Sequence, residues 1–295
     1  MPSKFPTTLR PRNKMIQITI DQFEQLLPFV GAASEDVFTK MQPSFENEYR
    51  ELLENVIGEE FETEVFNGGS PVQEYTRHYV ILSTFLLRLR SNDLVMTDTG
   101  FGVVSNENIA PASQARVDAL EKELTYKKDH ALYSIINRLR VVEGWSETLQ
   151  AVTNIKSFIW CAQLLKRWCG ASHSATSDDL AKSQIDIEQA ENFLRRELSD
   201  AQIEELLSEE RKATYKTNHR TAIFRICKFI GVCLSTKDAP VFPPDEANES
   251  FVQLLSFMEE NISSFPIYKN SSAYKANHMQ AYENKTDDST FFFSC

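Results

Sequence analysis

No apolar run in this chain approaches the roughly 20 residues that a helix needs to cross a bilayer. The opening residues, MPSKFPTTLRPRNK, are basic but have no apolar stretch behind the charges, which argues against a secretory signal. Basic charge is also short: 31 Lys and Arg stand against 42 Asp and Glu, a formal net charge of −11. Phosphate contacts need clustered cations, so broad nucleic-acid binding is disfavoured and contact with basic or mixed protein surfaces is favoured. Cysteine is scarce, and Cys161, Cys169, Cys227, Cys233 and Cys295 form no CxxC pair. The first four fall in apolar helical stretches, where a free thiol packs as a small hydrophobe; reduced thiols and a cytoplasmic setting are expected.

Catalytic signatures are missing as well. His78, His130, His173, His219 and His278 include no pair at the three- or four-residue spacing that sets two metal ligands on one helix face. His78 follows Arg77 within a helical pattern and reads as a packing or capping residue. Gly100-Phe101-Gly102 lacks the third glycine and the βαβ setting of a phosphate loop, and reads instead as turn glycines. Two acidic runs, Glu59 to Glu64 and Glu204 to Glu210, lie among other charges and read as solvated helix faces. There is no GxSxG, no Walker lysine and no Cys/His pair in a local catalytic context. No catalytic residue, cofactor or metal is expected.

What is present is helix. An apolar fraction of 42% and a charged fraction of 25% suit a chain that buries a core. The pattern predicts a mainly α protein, two packed helical halves forming a bundle, with one β-hairpin and extended N- and C-terminal arms. The predicted divisions are an arm over 1–14, a helical domain over 15–170 with the hairpin near 94–105, a second helical domain over 184–265, and an arm over 266–295. Within them, Asp21 is expected to cap a short helix, and Phe38, Met41, Phe45, Tyr49, Leu52 and Val56 form a stripe that Gly58 stops. Tyr75, Tyr79, Leu82, Phe85, Leu86 and Leu89 form another, and Val117 to Leu139 the inner face of the longest helix of the first half. Trp145 to Trp168 is expected as an apolar helical stretch, 170–183 as a hinge, and Ser199 to Leu234 as one long helix.

The segment Asp93 to Ser113, DLVMTDTGFGVVSNENIAPAS, breaks the helical pattern. Leu94, Val95 and Met96 precede Asp98, Thr99 and Gly100, and Phe101, Val103 and Val104 resume the apolar run, the pattern of a hairpin. This block, following LLRLRSNDL, resembles the signature of an uncharacterised structural protein family of tailed phages and prophages of gut bacteria. The C-terminal residues Tyr282, Asn284, Lys285, Asp287 or Asp288, Ser289 and Phe292 resemble that family's tail, with the paired Asp287-Asp288 and terminal Cys295 as departures.

The resemblance implies a virion protein assembled in the host cytoplasm: a head–tail connector, or neck adaptor, forming a homo-oligomeric ring of twelve at the portal. The partners it implies are the portal protein and adjacent tail or ring proteins, with no membrane. A minor capsid or tail-completion protein, and from another class a phage enzyme or regulatory protein with an unrecognised site, are the alternatives. The candidate contact residues are Phe101 in the hairpin, Tyr282, Phe291, Phe292 and Phe293 in the C-terminal arm, and Lys4, Arg10, Arg12 and Lys14 in the N-terminal arm. That basic arm is expected to meet a neighbouring subunit, with packaged DNA as an incidental contact, because four charges give only modest phosphate affinity.

Overall fold

In a computed structural model of the chain, Thr19 rather than Asp21 starts the first helix. Its hydroxyl accepts from the Gln22 N–H, and the Gln22 side-chain oxygen accepts from the Thr19 N–H. This reciprocal pair satisfies two of the amides that a helix start leaves without partners, and α1 runs over Ile20–Leu26. The structure describes residues 16–66, 71–90, 94–97, 100–103, 113–170, 175–236 and 241–278. Among these the chain is mainly helical, and its contacts divide it into two units between Leu139 and Arg140.

In the first unit, α2 (Ser34–Leu52) buries Met41, Phe45, Tyr49 and Leu52, four members of the expected stripe. One π turn, Leu53–Ile57, carries the stripe on to Val56 and Ile57. Gly58 then ends it at φ 87°, a backbone conformation that costs glycine little. The short α3 (Glu62–Phe66) leads to α4 (Val72–Arg88), which packs against both α2 and α5 (Gln114–Leu139). Two packing partners widen the buried face of α4 to Val72, Thr76, Val80, Ile81, Leu82, Thr84 and Phe85, while the expected Tyr75, Tyr79 and Leu86 are only half-buried. Between α4 and α5, Leu94–Thr97 (β1) and Gly100–Val103 (β2) pair antiparallel, with Leu94 opposite Val103 and Thr97 opposite Gly100.

The second unit holds α6 (Leu149–Asn154), α7 (Ala162–Cys169), α8 (Ser177–Glu197), α9 (Asp200–Lys212), α10 (His219–Ser235) and α11 (Asp245–Glu260). It ends, among the described residues, in α12 (Pro266–Asn270) and α13 (Ser272–Asn277). Central to it is α10, which packs against α7, α8, α9 and α11 and buries Ala222, Ile223, Ile226, Phe229 and Ile230.

Four expectations change here. The division falls at Leu139/Arg140 instead of within 170–183, because α7 packs on α10 and the Trp168 ring meets Phe224 at 4.7 Å. The stretch from Trp145 to Trp168 is no single helix: α6 and α7 flank an irregular segment, 155–161, whose Ile155, Phe158, Ile159 and Trp160 are buried. The expected helix from Ser199 to Leu234 is two, separated at 213–218, where Ala213 and Asn218 take positive φ of 48° and 67°. The C-terminal arm does not begin at 266, since Phe265 and Tyr268 are fully buried and the Tyr268 N–H donates to the Gln202 side chain at 3.0 Å.

One close approach in this core gives a direct test. A Cβ on Gly231 would press on the backbone carbonyl of Trp168, a group that cannot swing aside as a side-chain tip can. Gly231→Ala is expected to lower unfolding stability by about 1–3 kcal/mol, the usual cost of overpacking. A thermal melt as stable as the parent would show that α7 and α10 separate at no cost.

Candidate functional site

Of the contact residues expected from the sequence, only the backbone of Phe101, in β2, lies among the described residues. Lys4, Arg10, Arg12, Lys14, Tyr282, Phe291, Phe292 and Phe293 lie outside the described residues, as does the side chain of Phe101. The structure does bring together groups that sequence reasoning had set apart as solvent-facing, and it does so around α9.

The helix α9 starts at Ser199, whose hydroxyl accepts from the Gln202 N–H, and buries Ile203, Leu206 and Leu207 on one face. Turning that face inward carries Glu209 and Glu210 with it, and both are buried; of the same acidic run only Glu204 is exposed. Glu210 lies 2.9 Å from the Arg140 guanidinium, accepts from Trp160 Nε1 at 3.2 Å, and accepts from the Tyr215 hydroxyl at 2.8 Å. Arg140 also donates to the Tyr215 oxygen at 3.1 Å and to the Glu210 backbone carbonyl, and it sits 5.7 Å from the centre of the Trp160 ring. Burial, with the Glu210 carboxylate next in weight, pushes the Tyr215 hydroxyl up to about 12.

Beside this lies a second group. Glu209 Oε2 accepts from the Lys216 N–H at 3.1 Å and lies 3.0 Å from His219 Nδ1. His219 is fully buried, its ring stacked on Phe265 at 5.1 Å and 10°, with Nε2 against the Ser264 carbonyl at 2.8 Å. A His–Glu pair can serve as a general base only if the far nitrogen reaches a substrate. Here Ser264 occupies that nitrogen and no solvent reaches the ring. The pair joins the start of α10 to α9, and the Ser264 contact ties the same ring to the turn after α11, as Asn218 does by donating to Asn261 and Ser264 at 3.0 and 3.1 Å.

The buried irregular segment 155–161 is held by side chains from three helices. Arg211 Nε donates to the Ile155 carbonyl at 3.0 Å, the Phe158 N–H donates to Glu191 Oε1 at 2.8 Å, and Cys227 Sγ lies 3.8 Å from the Phe158 carbonyl. Backbone groups inside a fold need such partners where helix and sheet do not supply them. Burial, only partly offset by the Phe158 N–H and Arg195, raises the Glu191 carboxyl from the ordinary 4.5 to about 7. Cys161, Cys169, Cys227 and Cys233 are free thiols whose pKa values burial raises, to about 12, 11 and 12 for Cys161, Cys169 and Cys233, so they stay unreactive at neutral pH.

The first unit carries a different feature, an open cleft of about 360 Å³ between α1, α4 and α5. Tyr75, His78 and Leu82 face it from α4, and Tyr126, Lys127 and His130 from α5. Burial lowers the His78 pKa, the effect of taking a cation out of water. Lys127 pairs with Glu123 at 2.7 Å one turn away, so the rim of the cleft is already charge-balanced at that point. Among the described residues no group of three or more His, Cys, Asp or Glu is arranged to hold a metal.

In comparisons with known proteins, residues 27–155 match the model of a family of unknown function, DUF6712. The match covers less than half of the chain; it takes in α2 to α5 and ends one residue past α6. No curated protein and no solved structure matches the chain.

Proposed function

We propose that this protein is a structural subunit of tailed-phage virions, a head–tail connector that assembles as a homo-oligomeric ring at the portal. The observation that carries the reading is the block from Asp93 to Ser113, whose residues resemble a family of phage structural proteins. The polar chemistry of the second unit supports it. The buried charges are spent on one another and on backbone groups, as in a rigid scaffold. The finer reading assigns β1 and β2 to a hairpin that meets a neighbouring subunit. Their antiparallel register supports this, because a two-stranded ribbon keeps unpaired backbone groups on its outer edges.

Mass analysis of purified virions tests the proposal: a connector is expected at several copies per particle, and absence from virions removes the reading. A minor capsid or tail-completion protein also passes that test and is separated by its position in imaged particles. Phe101→Ala is expected to leave helix content unchanged while weakening assembly. A loss of monomer stability instead would place Phe101 in the fold of the single chain.

A further inference from the structure

The outer face of α8 carries a stripe that the core uses only through Phe193. Ile187, Ala190, Glu191 and Leu194 point inward, while Ile185, Glu188, Gln189, Asn192, Phe193 and Arg196 line a groove of about 520 Å³ whose other wall is Phe242. The positions recur three, four and seven residues apart, so they share one side of the helix. The lining of the groove mixes polar and apolar side chains, and the apolar ones are open to solvent: Ile185 is 77% exposed and Phe242 38%. It is the outer edge of an aromatic cluster in which Phe193 stacks on Phe229 at 5.5 Å and meets Phe251 and Phe242 edge-on at 5.1 and 6.2 Å. Neighbouring Val241 adds another 69% exposed side chain. Exposed apolar side chains set among charged and amide groups on a helix face are a form that protein–protein contacts take.

The charges on this face identify its occupant. Glu188 and Arg196 lie four residues to either side of Asn192. A second copy of α8, turned end for end about a twofold axis through Asn192, sets each Glu188 opposite Arg196 of the other copy. The same axis brings the two Asn192 amides together, and an amide pair both donates and accepts. Within one chain these charges meet only neighbours on the same helix: Glu188 accepts from Gln184 at 3.0 Å, and Arg196 pairs with Glu197 at 2.8 Å while lying 5.2 Å from the Phe193 ring centre. Surface pairs of that kind are worth little, so exchanging them for a partner's costs little.

We propose that α8 is a self-association surface, on which two copies of this chain pair antiparallel through Ile185, Glu188, Asn192, Phe193 and Arg196. The contact does not rest on the virion reading and belongs to the free protein. A face of so few side chains is smaller than the roughly 800 Å² per partner of a standard interface, so the dimer is weak and concentration-dependent.

The test uses charge reversal on the full chain, with sedimentation velocity from low to high micromolar concentration as the readout. Wild type is expected to shift from monomer to dimer over that range. Glu188→Arg and Arg196→Glu each place like charges together twice across the axis, and each is expected to weaken self-association at least about tenfold. Mixed one to one, the two variants restore both pairs, and a heterodimer as tight as the wild-type dimer is expected. Both residues are exposed, so circular dichroism should show either variant folded as wild type. Wild type that stays monomeric throughout, single variants that associate as wild type does, or a mixture that stays monomeric would each overturn the proposal.

Discussion

Arg140→Ala is expected to lower the stability of the second unit by about 3–5 kcal/mol, the cost of leaving a buried charge without its partner. The Glu210 carboxylate would keep the Trp160 and Tyr215 hydrogen bonds but lose the cation 2.9 Å away, in a place where the two side chains are only 7% and 11% exposed. Removing both charges is a different experiment. Arg140→Met with Glu210→Leu fills the space with apolar groups and leaves no charge to be solvated, so the double variant should be more stable than Arg140→Ala alone. Trp145 and Trp160 are both buried, so tryptophan fluorescence in a urea titration reports the transition. A loss below about 1 kcal/mol for Arg140→Ala would mean that the pair behaves as an exposed one.

Glu191→Gln is expected to stabilise the protein, and only at higher pH. The folded-state pKa of Glu191 is raised to about 7 from the ordinary 4.5, so folding favours the protonated carboxyl. Its contribution is therefore complete below about pH 4.5, is lost as pH rises towards 7, and stays lost above that. At about 1.4 kcal/mol per pH unit, the loss comes to about 3 kcal/mol. Glutamine keeps an oxygen to accept the Phe158 N–H and carries no charge to bury. The two proteins should have similar denaturation midpoints near pH 4.5 and diverge by that amount at pH 8. Parallel curves across this range would mean that Glu191 titrates as a solvated carboxylate does.

Both residues show where reading by pattern stops. Helix type and most helix spans were legible in the sequence, because an apolar stripe at helical spacing has few other uses: α2 buries Met41, Phe45, Tyr49 and Leu52 as the spacing required. Breaks marked by glycine were legible too, as at Gly58, where positive φ suits a residue without a side chain. The break between α9 and α10 was not. The sequence ATYKTN contains no glycine or proline, and Ala213 and Asn218 hold positive φ while Lys216 and Tyr215 bond Glu209 and Glu210. Such contacts exist only once the chain has turned back.

The acidic run 204–210 makes the same point about charge. In sequence its members look alike, and burial of Glu210 depends on Arg140, which is distant along the chain, while that of Glu209 depends on His219 across a turn that no glycine or proline marks. A carboxylate is tolerated inside a protein only when a partner arrives with it, and local pattern says nothing of partners that far away. Composition and periodicity therefore determined that this chain is helical and carries a net negative charge. Tertiary packing alone decided which acids form the core of the second unit, how the buried segment 155–161 is held, and that the stripe from Ile185 to Arg196 faces outward.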